Sequence, residues 1–200
     1  MPGDSDLPDW DALLSAAARL QQIVPGAVLV GGTAAALVAQ HRFSRDADHV
    51  VVDLRARFDD VLADLEQASG WRTARVRRPV LILGSLEGIE TGVRQLIRDT
   101  PLETMEIEID GAKVVTPTPA EILRIKCALV LKRNATRDYV DAAALSDRLG
   151  TAASCAALAS FDALYPQPNG QSAAQQLVAQ LNAPAPYDLD GVDQIGRAHI

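Results

Sequence analysis

Aromatic residues are scarce in this sequence, because Phe, Trp and Tyr together make up only 4% of its 200 residues. Two cysteines are too few for a disulfide-stapled secreted domain. Cys127 and Cys155 both lie in apolar, helix-like segments, so we expect them to be reduced core residues. No apolar run reaches the length of a membrane span, and the N-terminus is acidic, unlike a signal peptide. We therefore expect a cytoplasmic protein without a membrane partner.

The sequence also lacks the positive charge that general binding to nucleic acid requires. Its 19 Lys and Arg residues are outnumbered by 26 Asp and Glu residues, which gives a net charge of −7. Positive charge is nevertheless concentrated in one short segment that contains Arg72, Arg75, Arg77 and Arg78. Such a cluster can bind a phosphate-bearing ligand, and it can equally be a solvated strand edge that is protected by charge.

Apolar residues are plentiful, at 48% of the chain, and they recur at strand-like and helix-like spacings. These patterns predict an α+β fold, with a small mixed sheet and its helices over residues 1–116. A helical C-terminal part packed on this core is expected over 117–183, and a loose tail over 184–200. The predicted helices of the first part cover 8–23, 33–40 and 58–68. Strands are expected at 27–30, 46–54 and in pieces over 71–96, and a hairpin at 102–115 is expected to turn at Asp110-Gly111.

The C-terminal part begins with a clear helix signal. The segment Thr118-Pro-Ala-Glu121 is a capping box with proline at the first helical position, so a helix is predicted to start there and to end near residue 133. A second helix is expected from about residue 136 to a cap at Gly150. Two shorter helices are expected at about 152–163 and 171–181.

A glycine turn followed by two aspartates is the most informative feature of the chain. A buried strand passes through Gly31 and Gly32 into a helix that starts at Thr33, where the first N–H groups can bind an anion. Taken alone, the glycines are better explained by a tight packing turn. In the next strand Asp46 and Asp48 share one face, with Cα atoms about 6–7 Å apart. Carboxylates so close repel each other unless a cation lies between them, and hard oxygens suit Mg²⁺.

These residues resemble a known family. Gly-Gly-Thr-x-x-x-Leu followed by His-Arg-x-Ser-x-Asp-x-Asp resembles the polymerase-β-like nucleotidyltransferase superfamily, and within it the AbiEii/AbiGii toxin branch, which includes mycobacterial toxins that modify tRNA. A second block, residues 121–141, resembles the later motif of that branch. In this block Lys126 lies on one helix, and Arg137-Asp138-x-x-Asp141 opens the next. The resemblance spans about residues 25–150.

The resemblance implies a Mg²⁺-dependent enzyme, with Mn²⁺ as a possible substitute. It would transfer NMP from an NTP to an acceptor hydroxyl, with the 3′ end of tRNA as the expected acceptor. It also implies a toxin–antitoxin system, and hence a cognate antitoxin as a partner. The implied catalytic residues are Asp46, Asp48, Ser44, Lys126 and Asp138. The implied nucleotide-binding residues are Gly31, Gly32, Thr33, Arg42, Ser44 and Lys126. The implied metal ligands are Asp46 and Asp48 with a third carboxylate, for which Glu90 is favoured and Glu87 is the alternative.

The residues themselves leave several interpretations open. Lys126 lies on an apolar helix face and needs an anion, which a triphosphate, Asp138 or Asp141 could supply unless the lysine snorkels to solvent. His41 and His49 flank the acidic pair and are interpreted as structural, since no zinc-type spacing with cysteine exists. Two other functions also remain. One is an enzyme of the same fold that acts on a small molecule or a protein hydroxyl. The other is a non-catalytic module that binds nucleotide or a partner protein.

Overall fold

The computed structural model describes residues 9–109, 111–168 and 170–188, and it confirms the predicted α+β fold. The chain divides into two compact units. The first comprises Met1–Ala34 and Phe43–Pro117, and the second comprises Ala35–Arg42 and Thr118–Ile200. Each unit is therefore made of two separate stretches of the sequence.

All the strands that the structure describes belong to the first unit. Its elements are α1 (Trp10–Ile23), β1 (Val28–Leu29), the start of α2 (Gly31–Ala39), β2 (Asp46–Val51), α3 (Phe58–Gln67), β3 (Trp71–Arg77), β4 (Leu81–Leu86), β5 (Ile89–Gln95), β6 (Thr104–Ile109) and β7 (Ala112–Pro117). Five strands form a mixed sheet in the order β1-β2-β5-β4-β3, in which only the β2–β5 pair is parallel. The last two strands form a separate antiparallel hairpin.

The five-stranded sheet has one buried face and one open face. Along β2 and β4 buried and partly exposed residues alternate, as the two-residue period of a half-buried strand requires. Val51, Ile82 and Val93 belong to the buried face, and they share one apolar cluster with Leu20 of α1 and Leu65 of α3. Because these helices cover that face, the partly exposed residues of β2, which include Asp46 and Asp48, lie on the other.

The second unit is helical. It contains the end of α2, then α4 (Pro119–Arg133), α5 (Thr136–Leu149), α6 (Thr151–Leu158), α7 (Phe161–Leu164) and α8 (Ala173–Asn182). The predicted cap of α4 is confirmed, since the Thr118 side chain accepts a hydrogen bond from the N–H of Glu121. The predicted end of α5 at Gly150 is also confirmed, since the N–H of Gly150 donates a hydrogen bond to the carbonyl of Ser146 in the last turn. Among the described residues, no helix is long and apolar enough to cross a bilayer.

Several predicted boundaries differ from the structure. Helix α2 begins at Gly31 and not at Thr33, so both glycines lie in its first turn and not in a turn before it. The single helix expected at 152–163 is two helices, α6 and α7, which are separated by a short turn. The two-residue turn expected between β6 and β7 falls between Ile109 and Ala112, although Asp110 lies outside the described residues.

The predicted loose tail is partly bound. Its residues 189–200 lie outside the described residues. In the described part, Asp188 accepts hydrogen bonds from the N–H and hydroxyl of Thr136, and the Tyr187 N–H donates to the carbonyl of Asn134. The N–H of Thr136 lies in the first turn of α5, where no carbonyl of the same helix can accept its hydrogen bond. Asp188 therefore supplies the missing acceptor.

The two cysteines have opposite environments. Cys127 is buried in α4, and burial raises the pKa of its thiol to about 12. Cys155 lies on the exposed side of α6, so its assignment to the core was wrong. Both are free thiols. Since the thiolate is the reactive form, the two residues should differ greatly in reactivity.

One thiol per folded chain is expected to react rapidly with a disulfide reagent such as dithionitrobenzoate. Cys155 should account for it, because Cys127 is both covered and protonated at neutral pH. Absorbance at neutral pH should count one fast thiol in buffer and two in concentrated urea. The variant Cys155→Ser should show none in buffer, and a fast thiol remaining in it would contradict the burial of Cys127.

Candidate active site

The start of α2 lies beside the start of β2. Strand β1 runs antiparallel to β2, with Leu29 opposite His49, and the next N–H, that of Val30, donates to the carbonyl of Asp48 at 2.8 Å. Gly31 follows with φ at +79°, a conformation that favours glycine. A Cβ at Gly31 would lie 3.6 Å from the Cβ of Asp48. The first turn of α2, whose N–H groups lack acceptors inside the helix, therefore begins next to this carboxylate.

Asp46 and Asp48 lie on the open face of the sheet, as predicted from their spacing. The intervening Ala47 is fully buried, and both aspartates are partly exposed. The buried hydroxyl of Ser44 donates to Asp46 Oδ1 at 3.3 Å, and the Thr33 hydroxyl donates to the Asp46 carbonyl. The Thr33 side chain, expected to contact nucleotide, is thus used to fix the backbone of the first aspartate.

Glu90 faces the same side as the two aspartates. Because β2 and β5 are parallel neighbours, Glu90 lies directly opposite Asp46, and Arg94 lies four residue pairs farther along on the same face, opposite Val50. The Arg94 guanidinium is 3.5 Å from the Asp48 carboxylate. An open pocket of about 410 Å³ is lined by these residues and by others from the neighbouring strands: Asp46, Asp48, Glu90, Thr91, Arg94, Leu83, Gly84, Ser85, Arg72, Thr73 and Ala74.

The donor set of this pocket fits Mg²⁺. Magnesium is usually held by one or two carboxylates together with substrate phosphates and water, and Asp46 and Asp48 provide two carboxylates on one face. In the described part of the chain, no three Asp, Glu, His or Cys side chains are grouped closely enough to hold an ion by themselves. The metal-binding roles, including that of Glu90, stay predictions.

His49 is a core residue, in agreement with its structural interpretation. Its ring is fully buried behind the strand that carries the aspartates. Burial lowers the pKa of the imidazole to about 4, so it is neutral at physiological pH. It lies on the opposite face of β2 from the pocket and faces away from it.

A second cluster of charged residues lies within the helical unit. Lys126 is almost fully buried, and its Nζ lies 2.6 Å from Asp141 Oδ2 and 3.4 Å from Asp138 Oδ1. Asp141 also accepts two hydrogen bonds from the Arg42 guanidinium, at 2.7 and 3.0 Å, and lies 2.7 Å from the His41 ring. Three side chains therefore contact the buried Asp141, and one of them, Lys126, also contacts a second buried aspartate, Asp138.

Asp141 is ionised in this cluster. Burial acts to raise the pKa of its carboxyl, but hydrogen bonds from His41 and Arg42 and the positive charges of Lys126 and Arg42 outweigh that effect and lower it. The sequence left a triphosphate, Asp138 or Asp141 as the anion beside Lys126, and in the structure both aspartates lie beside it. The nucleotide-binding and catalytic roles of Lys126, Arg42 and Asp138 stay predictions.

Two residues of these clusters were not singled out from the sequence. Arg94 is one of them, because its position beside Asp48 depends on the parallel pairing of β2 with β5, which residue patterns do not reveal. His41 was noted only as a flanking residue, and its contact with Asp141 joins positions 100 residues apart. The neighbouring Arg42 was named for its place in the family motif, and the same motif holds His41.

Comparison with known proteins identifies the family. The family model described as "Nucleotidyl transferase AbiEii toxin, Type IV TA system" matches residues 12–190, nearly the whole chain. The chain belongs to the AbiEii nucleotidyltransferase toxin family. The match confirms the resemblance seen in the glycine–aspartate and lysine–aspartate motifs, and it makes this AbiEii protein a nucleotidyltransferase.

Solved structures show the same fold. An antigenic nucleotidyltransferase-like protein from Paracoccidioides brasiliensis superposes with a TM-score of 0.59, at 20% identity over 96% of both chains. The antibiotic-resistance factor ANT(2″)-Ia, solved in complex with adenylyl-2″-tobramycin, superposes with a TM-score of 0.56 at 13% identity. This match covers 76% of the AbiEii protein and 97% of the other chain. At these identities the likeness concerns the fold.

Sequence relatives of known name match only in part. A segment of 95 residues is 39% identical to the heme uptake protein MmpL11 of Mycobacterium tuberculosis, and it covers 46% of this chain and 10% of that protein. The mycolic acid-containing lipids exporter MmpL11 of Mycolicibacterium smegmatis is 35% identical over 102 residues, which cover 50% of this chain and 11% of that exporter. The AbiEii chain thus matches about a tenth of the length of these relatives, and the match does not carry their transport activity to it.

Replacing Gly31 with alanine is expected to reduce transferase activity about tenfold and to destabilise the fold by about 1 kcal/mol. The destabilisation follows from placing a Cβ at positive φ, and the loss of activity follows from the backbone shift beside Asp48. Initial rates and urea unfolding measure the two effects. Gly26→Ala is the matched control, since Gly26 has φ at +84° but lies beside Arg57 and away from the pocket. Equal loss of activity in both variants would contradict the assignment.

Proposed function

We propose that this AbiEii nucleotidyltransferase transfers NMP from an NTP to the 3′ hydroxyl of an RNA, with tRNA as the acceptor, and so blocks translation. We further propose that it acts in the cytoplasm as the toxin of a toxin–antitoxin pair. The family supports the toxin role, since its description names a type IV system. The observation that carries the chemistry is the placement of Asp46 and Asp48 on one open face, directly beside the glycine-rich start of α2.

The chemistry is an in-line displacement at the α-phosphorus of the NTP. A bond forms between the acceptor oxygen and the α-phosphorus, and the bond to the bridging oxygen breaks to release pyrophosphate. When Mg²⁺ is bound by Asp46 and Asp48, it polarises the α-phosphate and favours ionisation of the attacking hydroxyl. The hydroxyl proton passes to a carboxylate of the pocket.

The residues around the carboxylates have positioning roles in this proposal. Ser44 and Thr33 hold the side chain and backbone of Asp46, which keeps its oxygens directed at the open face. The first N–H groups of α2, at Gly31 and Gly32, bind phosphate oxygens with the help of the helix dipole. Positioning and electrostatics of this kind are the main source of catalysis in phosphoryl and nucleotidyl transfer.

The proposal is tested by incubating the protein with each α-³²P-labelled NTP, Mg²⁺ and total tRNA. Label is expected in tRNA with one preferred NTP, and it should be absent when EDTA replaces Mg²⁺ and return when Mg²⁺ or Mn²⁺ is added. Label in protein, or in an added panel of hydroxylated small molecules such as aminoglycosides, would overturn the RNA acceptor while leaving the enzyme class intact. Nucleotide binding without any transfer would overturn catalysis.

Toxicity is tested separately in growing cells. Induced expression of the wild-type chain should arrest growth, and an Asp46→Asn chain expressed at the same level should not. Arrest by both chains would contradict an enzymatic cause. A gene next to the toxin gene that restores growth when it is expressed together with the wild-type chain would be the expected antitoxin.

A further inference from the structure

Strand β3 forms one edge of the five-stranded sheet and carries three exposed arginines. Trp71 pairs with Leu86, a fully buried core residue, so Trp71 faces the core side and Arg72 faces the open side. If strict alternation continued along the strand, Arg75 and Arg77 would both face the core side. The amino-acid pattern alone therefore predicts that the arginines are divided between the two faces.

A β-bulge reverses this expectation. The register shifts between Thr73 and Arg75, because Ala74 is inserted between two consecutive pairs of the ladder. An inserted residue changes the face of every residue that follows. Arg75 consequently pairs with Leu83 and Arg77 with Leu81, both of which lie on the open face. Arg72, Arg75 and Arg77 therefore all lie on the open side of the sheet.

This side is the one that carries the catalytic carboxylates. The row of paired residues that starts at Arg72 crosses β4 and β5 and ends at Asp46, and the row that starts at Arg75 ends at Asp48. Three strand spacings separate the arginines from the aspartates, or about 14 Å along each row. Arg72 also lines the pocket that contains both aspartates. A ligand that touches both the aspartates and the outer arginines must span a comparable distance, as successive nucleotides of one strand can.

The three arginines differ from their neighbours in how their charge is balanced. Within the described residues, Arg72, Arg75 and Arg77 form no salt bridge, whereas Arg78 pairs with Asp59 and Arg94 with Asp48. A chain with a net charge of −7 has many carboxylates available, yet none of those in the described residues forms an ion pair with these three arginines. The one described carboxylate bonded to a side chain of this strand, that of Glu66, accepts from the Thr73 hydroxyl. A guard against edge-to-edge aggregation would need charge on the strand, but it would not need all three side chains on one face.

We propose that Arg72, Arg75 and Arg77 form a track for the sugar–phosphate backbone of a single-stranded polynucleotide whose 3′ end reaches the carboxylate pair. The track rests on the proposed function, since it supplies the binding surface for an RNA acceptor. Arginine suits it because the guanidinium makes paired hydrogen bonds to phosphate. A local track of this kind also explains how an acidic protein holds a polyanion.

The test measures binding in the absence of NTP, with a fluorescently labelled single-stranded RNA of about twelve nucleotides and fluorescence anisotropy. The double variant Arg75→Gln/Arg77→Gln should raise the Kd at least tenfold. It should also reduce the slope of log K against log salt by about 1.4, at about 0.7 per lost phosphate contact. The variant Arg75→Lys/Arg77→Lys should retain most of the salt dependence. The control Arg55→Gln/Arg148→Gln removes the same charge from exposed arginines elsewhere and should bind like wild type.

Several results would overturn the track. One is the absence of RNA binding by the wild-type chain, and another is an equal rise in the Kd for RNA in the Arg75/Arg77 and Arg55/Arg148 variants. A third is competition by polyglutamate as effective as competition by unlabelled RNA, which would indicate an acidic protein partner. Circular dichroism and melting temperature check that each variant is folded. Binding that depends on Arg75 and Arg77 without label transfer to tRNA supports the track and overturns the RNA acceptor. Transfer to tRNA with unchanged RNA binding by the Arg75/Arg77 variant supports the RNA acceptor and overturns the track.

Discussion

Replacing Asp48 with asparagine is expected to reduce the rate of nucleotidyl transfer about a thousandfold, and Asp46→Asn should have an effect of similar size. Asparagine keeps the shape of the side chain but removes the charge that balances a divalent ion and the developing charge on the phosphates. Such interactions contribute several kcal/mol to the transition state, and about 4 kcal/mol corresponds to a thousandfold change in rate. Both aspartates are partly exposed, so the fold should remain intact.

The measurement is the initial rate of label transfer to whichever acceptor takes label, at saturating NTP and over a range of Mg²⁺ concentrations. Asp53→Asn is the matched control. Asp53 follows the same strand, but its side chain is 60% exposed and paired with Arg57, outside the pocket. Its rate should stay within about twofold of wild type, since surface ion pairs of this kind contribute little. A rate for Asp48→Asn within tenfold of wild type would show that this carboxylate is not part of the active site.

Asp141→Asn is expected to lower the free energy of unfolding by about 3–5 kcal/mol, the range for removing one partner of a buried ion pair. Asp141 is fully buried, and it is the common partner of Lys126, Arg42 and His41. Its neutralisation leaves Lys126 with the more distant Asp138, at 3.4 Å, as its remaining carboxylate. Burying a poorly compensated charge is the physical reason for the large loss.

Urea unfolding of the wild type and the variant at neutral pH measures this effect. Asp147→Asn, an exposed aspartate on the same helix, is the control and should change stability by less than about 0.5 kcal/mol. The double variant Lys126→Met/Asp141→Leu should lose less stability than the sum of its single variants, because it removes both charges. Additive losses would show that the two residues do not stabilise each other.

The same cluster predicts a dependence on pH. In the folded protein the pKa of Asp141 is held below its usual range, so its ionised form stabilises the fold above about pH 4, the pKa of an unfolded aspartate. That contribution is lost as the pH falls through the lower, folded-state value. The difference in stability between the wild type and Asp141→Asn should therefore narrow below about pH 4. A difference that stays constant down to pH 2 would contradict the ionised state of Asp141.

Local patterns were sufficient for most of the elements. The proline-containing capping box defined the start of α4, because the side chain and backbone groups that form a cap lie within four residues. Alternation placed Asp46 and Asp48 on one face, and β2 does have a regular two-residue period. The family motif then indicated the nucleotidyltransferase class, which the family match confirms. The predicted start of α2 is two residues late, because glycine is disfavoured in helices and its occurrence there favours a turn.

What the sequence by itself determined is therefore the α+β class, the acidic pair and the type of reaction, since each depends on residues close together in the chain. Tertiary structure decided which distant residues meet. The parallel pairing of β2 with β5 brought Glu90 opposite Asp46, and folding of the helical unit gave Lys126 two buried carboxylate partners. The bulge at Ala74 moved Arg75 and Arg77 to the face of the aspartates. Strand neighbours and register depend on contacts across the whole sheet, and one inserted residue reverses the face that alternation predicts.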